Sequence, residues 1–444
     1  MEGRLPPDDD ELFEWTDAPA RPPRREREPG ADEDEPAERE RVGRLSDTEE
    51  RRRVRRGETG EFERSGRRPP PGRRARRRDL PARVRRRQDL IIGGLAALVI
   101  IGLIAAISSG GGGSTEPEVG LKRLVGQSIV ARLGPKGPDQ ALIQRVRRGR
   151  VGGVIAFNED AARLKADIAT LQQAASAGDS SPLLVMIDQE GGDVRRLPQG
   201  PPNVSPAQLG ESDDESQSRQ QGEETGSYLS GLGVNVNLAP VLDVAHQNTA
   251  NTIKSRTFGS DPAVVTEIGV AFAQGLQDGG VVATAKHFPG LGRATVNTDD
   301  RPTDIAATSD QLQADLEPFR GAVEAGVEMV MVSSAGYPTL GSEKQAAFSA
   351  AIVDGLLRDQ LGFDGVVITD DLEAPAVTDT TAPVVAAISA IKAGDDMLLY
   401  GRSASASDRA FRSLVRAVKA GNLNRSLFED AYDRITSLKD KPTT

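Results

Sequence analysis

Past residue 119 the chain alternates between two hydrophobic patterns. Short unbroken apolar runs give way to longer stretches in which apolar residues recur every three or four positions. The runs predict strands at Gln127–Ala131, Val151–Phe157, Leu183–Asp188, Val234–Leu238, Val281–Lys286, Met329–Ser333, Gly365–Thr369 and Met397–Tyr400. The periodic stretches predict helices, among them Leu142–Val146, Ala161–Ala174, Val264–Leu276, Leu312–Val323, Ile352–Leu361 and Val384–Ile391, with Ser407–Ala420 and Leu427–Leu438 closing the chain. Strand–helix alternation implies a parallel sheet, because parallel neighbours need crossover helices. Eight such units in about 320 residues predict an α/β fold of the (β/α)₈ TIM-type barrel class. A doubly wound open sheet is the other topology the alternation allows. There is no GxGxxG after a first strand and no Walker loop, so nothing points to a nucleotide.

Upstream the pattern changes. Residues 1–88 carry 25 Arg against 22 Asp and Glu, in blocks: 6 positive and 15 negative charges up to residue 40, then 19 and 7. Rich in Pro and poor in aliphatics, this stretch cannot bury enough apolar surface to fold alone and is predicted to be a disordered tail. It contains the only Trp of the chain, in Leu12-Phe13-Glu14-Trp15, a candidate docking segment for a cytoplasmic protein partner. Leu90–Ile107 is an uncharged apolar run of 18 residues, long enough for a spanning helix. Nine arginines between Arg73 and Arg87 precede it and a Gly-rich segment follows, so the positive-inside rule predicts a cytoplasmic N-terminus. The domain organisation expected is a tail (1–88), a transmembrane helix (89–108), a linker (109–118) and a barrel (119–444). The location expected is a single-pass cell-membrane anchor with the barrel extracytoplasmic. One reading of the blocked charges makes the tail the functional part and the barrel a sensor.

The net charge of −10 argues against a nucleic-acid binder. Without cysteine there is no disulfide framework and no thiolate chemistry, and with only His246 and His287 a zinc site is not expected. No metal or organic cofactor has a recognisable site.

The candidate chemistry sits where predicted strands end. The stretch Val281–Asp300 (VVATAKHFPGLGRATVNTDD) runs from a buried strand into Lys286-His287 and a polar loop. The third strand ends in IDQEGGDVRRL, the fourth in NLAPVLDV followed by KSRTFGSDP, and the seventh in GVVITDDLEA with Asp370 and Asp371. Polar groups at the carboxyl ends of barrel strands are where such folds hold their chemistry. The structural alternative for Asp370-Asp371 is the capping of a following helix.

These motifs together, IDQEGG, LAPVLDV, RTFGSDP, KHFPGLG and LGFDGVVITDDL, resemble glycoside hydrolase family 3, in particular its single-barrel β-N-acetylhexosaminidases that trim cell-wall muropeptides. The resemblance covers the chain from about Val119 onward. It implies a retaining hydrolase that removes a terminal β-linked sugar, N-acetylglucosamine from cell-wall glycan or muropeptide, through a covalent glycosyl-enzyme, without a cofactor. Asp370 matches the nucleophile. Asp188, Arg196, Arg256, Lys286 and His287 match positions that grip the sugar's hydroxyls and N-acetyl group. Lys286 and Arg256 are expected to favour an ionised Asp370.

The chain also departs from the family. An Asp-Ser-His segment, whose histidine is the acid/base, is expected after KHFPGHG; here the same spacing gives Asn297-Thr298-Asp299. Leu291 stands for the second histidine of that motif, Asp193 for an arginine, Ser334 for a histidine and Ala374 for a methionine. Two expectations follow: either Asp299 or Asp300 is the acid/base, or the barrel is a catalytically impaired, anchored glycan-binding or scaffold module.

Overall fold

Eight parallel strands succeed one another around a ring: β1 (Ile129–Arg132), β2 (Gly153–Ala156), β3 (Leu184–Ile187), β4 (Val236–Asn237), β5 (Val282–Phe288), β6 (Met329–Val332), β7 (Val366–Thr369) and β8 (Leu398–Leu399). The computed structural model describes residues 119–157, 160–342 and 344–441. Consecutive strands pair in parallel from β1 to β7, and β8 returns to β1 through Ile129↔Leu398 and Val130↔Leu399. The last seam is thin. One parallel bridge, Ile368↔Met397, joins β7 to the start of β8 and brings the barrel near to closure.

Apart from Thr284 the strands are apolar until near their carboxyl ends, because both faces of the sheet are covered; Arg132, Asn237, Lys286, His287 and Thr369 stand at or near those ends. On β3, Leu184 and Met186 point into the barrel while Val185 and Ile187 face the helices. On β6 the same alternation puts Met329 and Met331 inside and Val330 and Val332 outside. The barrel interior is therefore a packed core, as its period of two requires. Ala431, Ile435 and Leu438 of the last helix, Ser426–Lys439, join that interior cluster. Lys439 at its end donates to Gln127 Oε1 (2.6 Å) and to the carbonyl of Gly152 at the entrance to β2 (2.9 Å). The amino ends of the strands are thus plugged, and the carboxyl ends are left to form a site.

Five described α-helices fall outside the predicted stretches: Leu121–Gln127, Pro206–Ser212, Glu215–Leu232 and the short Asn251–Lys254 and Pro375–Thr378. The longest of them is polar, but it packs closely on helix Pro262–Asp278 through glycines. A Cβ on Gly222 would lie 2.3 Å from the carbonyl oxygen of Phe272, and one on Gly275 would lie 2.0 Å from that of Arg219.

The fold class expected from the sequence is corrected on one point. Among the described residues no helix is long and apolar enough to cross a membrane. The reason is length and polarity: the longest described helix, Glu215–Leu232, has 18 residues and is polar, and the others are shorter. Leu90–Ile107, the stretch predicted to span, lies outside the described residues, as do the tail, its Trp15 segment and the Gly-rich linker.

Candidate active site

The carboxyl ends of the strands surround a cavity of about 430 Å³. Asp188, Arg196, Arg256, Lys286, His287, Asp299 and Asp370, all predicted as site residues, line this one cavity. Asp300 does not; it is exposed, and its N–H donates to the carbonyl of Asn297. Asp299, not Asp300, is the loop carboxylate at the cavity.

At the floor stands a buried ionic cluster. Lys286, near the end of β5, lies 2.9 Å from Asp188 Oδ1, just past β3, and 2.6 Å from Glu190 Oε1. Glu190 belongs to a small hairpin, Gln189–Gly191 with Val194–Arg195, that follows β3. Arg256 grips it with two parallel hydrogen bonds, Nε to Oε2 at 2.8 Å and Nη2 to Oε1 at 2.7 Å. Against the upward pull of burial, Arg256 and Lys286 hold the Glu190 carboxyl down at about 2. Burial also works against Asp188, but Lys286 and Arg196 keep its carboxyl below the usual carboxylate range. Lys286 is itself held above its ordinary value, burial notwithstanding, by Asp188 and Glu190. All three stay charged through neutral pH. Fixed cations beside carboxylates present donors and acceptors side by side, the combination that neighbouring sugar hydroxyls need.

His287 is oriented from behind. Its Nδ1 lies 2.7 Å from Asp243 Oδ2, and the other oxygen of Asp243 accepts from the backbone N–H groups of His287 and Leu291. A carboxylate at Nδ1 sets the tautomer and leaves Nε2 as the ring nitrogen available to a ligand. Asp243 reaches this position because Val241, next after the Ala239-Pro240 turn, bridges in parallel to Lys286. At the cavity wall Arg196 and Arg132 both approach the Phe157 ring, at 5.2 and 4.7 Å. Arg196 also reaches Asp188 (3.4 Å).

Asp370 follows β7. Its N–H donates to the carbonyl of Val332 (3.0 Å), continuing the sheet, and its Oδ1 accepts from the N–H of Asp371 (2.7 Å). It caps no helix: the next one, Pro375–Thr378, starts after Ala374 without a side-chain cap. Burial pushes the Asp370 carboxyl up; His287 opposes this and Asp299 adds to it. The expectation that Lys286 and Arg256 would favour its ionised form is corrected here, because both cations are engaged with Asp188 and Glu190. Asp371 turns the other way, accepting from the N–H groups of Glu373 and Gly401 (both 3.0 Å) and from Arg402 Nε (3.1 Å). Of the substituted positions, Leu291 and Asp193 line the cavity and Ser334 and Ala374 do not. Leu291, Ser334 and Ala374 are buried, and Asp193 is exposed at the cavity edge.

Glu190, Asp243 and Arg402 were not singled out from the sequence, although the first two lie within IDQEGG and LAPVLDV. No cluster of metal-ligating side chains occurs among the described residues.

A family model described as the glycosyl hydrolase family 3 N-terminal domain matches residues 122–438. The chain is 36% identical over 327 residues to an uncharacterized secreted glycosyl hydrolase of Arthroderma benhamiae, covering 71% of this chain and 92% of that one. It is 35% identical over 272 residues to a beta-hexosaminidase of Thiobacillus denitrificans, covering 60% and 75%. Among solved structures it is similar to a family 3 β-N-acetylglucosaminidase from Paenibacillus sp., with a TM-score of 0.70 and 32% identity over 72% of this chain and 62% of that one. The chain thus spans under two thirds of that neighbour. It is also similar to a β-N-acetylhexosaminidase from Beutenbergia cavernae, with a TM-score of 0.66 and 32% identity over 73% and 99%. The anchored location expected from the sequence is corrected by two findings: no described helix can span a membrane, and the Arthroderma relative is described as secreted. Matched along most of its length, and with a polar cavity at the mouth of its barrel, the chain belongs to glycoside hydrolase family 3 and is a glycosidase among β-hexosaminidase relatives.

Proposed function

We propose that this enzyme removes a terminal β-linked N-acetylhexosamine, such as N-acetylglucosamine of cell-wall glycan, with retention of configuration. Asp370 is the nucleophile: one carboxylate oxygen bonds to the anomeric carbon as the bond to the leaving oxygen breaks. Asp299 gives that oxygen its proton. It then takes a proton from the water whose oxygen displaces Asp370 and frees the sugar. Asp188, Arg196, Arg256, Lys286 and His287 hold the sugar's hydroxyls and N-acetyl group, with Glu190 fixing the two central cations.

The observation that carries this reading is the position of Asp370 at the end of β7, half-buried, capping nothing and facing a cavity of about 430 Å³ that it shares with Asp299. The names of the relatives support the choice of sugar. The test is turnover of an aryl β-N-acetylglucosaminide by the full chain and by Asp370→Asn. Activity that vanishes in the variant supports the reading. Because burial raises the Asp370 carboxyl, the acid limb of kcat/KM is expected above about pH 4, the range of an ordinary aspartate.

A second reading draws on the engagement of Asp299 Oδ1 by Arg402, 2.8 Å away, which leaves only the other carboxylate oxygen to act as the acid. On that reading the barrel binds glycan with little turnover. Tight binding of chitobiose together with undetectable hydrolysis in the unmodified chain would favour it.

A further inference from the structure

Among the described residues Arg402, in the segment after β8, is the one side chain that touches both the loop after β5 and the loop after β7 with charged contacts. Its Nη2 donates to Asp299 Oδ1 at 2.8 Å, and its Nε donates to Asp371 Oδ2 at 3.1 Å. It is itself held in place: its N–H and that of Ser403 donate to Glu373 Oε2, at 2.9 and 2.8 Å. Gly401, just before it, donates to Asp371 Oδ1 at 3.0 Å. The segments after β7 and β8 are therefore stitched together independently of Asp299, and the guanidinium projects from that stitched pair toward the loop after β5.

We propose that Arg402 is a positioning residue: by bridging Asp299 to Asp371 it ties the acid/base loop to the backbone that carries the nucleophile. This rests on the acid/base reading of Asp299. A planar guanidinium serves the purpose because two of its N–H vectors have a fixed relative direction, whereas an ammonium is a point charge on a flexible stem. Fold stability does not account for the arrangement. The side chains of Arg402 and Asp299 are 45% and 58% exposed, and ion pairs so open to water contribute little to stability. What they do is restrict where Asp299 stands relative to Asp370, the residue just before Asp371.

The test compares kcat/KM for Arg402→Ala, Arg402→Lys, Asp299→Ala and the Arg402→Ala/Asp299→Ala pair. Two aryl β-N-acetylglucosaminides are used, one with a strongly acidic and one with a weakly acidic leaving group, since only the latter needs protonation. Asp299→Ala is expected to lose on the order of a hundredfold more on the weakly acidic leaving group. Arg402→Ala is expected to lose about tenfold more on it, with Arg402→Lys between Arg402→Ala and the unmodified enzyme. Adding Arg402→Ala to Asp299→Ala is expected to change little further, because residues that act as a unit are not additive.

Equal losses on both substrates in Arg402→Ala, or losses that multiply in the double variant, overturn the role of Arg402 alone. An Asp299→Ala variant indifferent to the leaving group removes the acid/base reading and this inference with it. Should Arg402→Ala fail to fold, Arg402→Lys carries the comparison: an undiminished leaving-group profile there counts against the bridge.

Discussion

Glu190 shows how much one buried carboxylate can hold in this site. It is 3% exposed, accepts both hydrogen bonds from Arg256 and lies against Lys286. Removing one partner from a buried ionic cluster leaves the others uncompensated, at about 3–5 kcal/mol, so Glu190→Gln is expected to lower stability and activity together. Its pH dependence has a definite sign. The carboxyl is depressed from 4.5 to about 2 on folding, so its contribution is fully present above pH 4.5 and is lost as the pH falls through about 2. That contribution is about 3 kcal/mol. Urea unfolding of the two proteins at pH 6 and pH 2.5 measures it: the gap between them is expected to shrink at the lower pH, and a gap of constant size would show that folding does not depress the Glu190 carboxyl. At this scale the chain announces Asp370 clearly, since a run of Val-Val-Ile-Thr ending in two aspartates has little use in a core. It conceals Glu190 and Asp243. Their partners lie 66 and 44 residues away, and only the pairing of strands around the barrel makes them neighbours.

Among the elements, strands and apolar helices were legible because each buries a continuous apolar surface, and period alone distinguishes them. The helix Glu215–Leu232 was not. It buries Ser218, Gly222, Thr225 and Gly226, with Leu229 its one fully buried large side chain, so its contact face carries little hydrophobic signal. Its glycines, and Gly275 and Gly279 of the facing helix, allow backbone to meet backbone; a Cβ on Gly226 would lie 2.5 Å from the carbonyl oxygen of Leu276. In an exposed helix, Gly→Ala gains about 1 kcal/mol. Here Gly222→Ala is expected to destabilise by about 1–3 kcal/mol, the usual cost of overpacking. A rise in the urea midpoint for this variant would mean that the two helices can separate freely. The loop after β5 was legible in another way: alignment with the resembled family's acid/base segment pointed to Asp299 or Asp300, but only the fold distinguishes the one at the cavity from the one in solvent.

For the whole molecule, the division between the two ends of the barrel organises everything else. The last helix fills the amino end with Ala431, Ile435 and Leu438, and the carboxyl end gathers side chains from the segments after β3, β5, β7 and β8 around one hollow. The central claim is that Asp370 becomes covalently bonded to the sugar. The most direct test is mass spectrometry of the full chain after incubation with a fluorinated N-acetylglucosaminyl donor, whose glycosyl-enzyme forms faster than it is released. A mass gain of one fluorinated sugar residue is expected, located by peptide mapping on Asp370 and absent in Asp370→Asn. Turnover of the aryl substrate with no adduct, or an adduct carried by any other side chain, would contradict it.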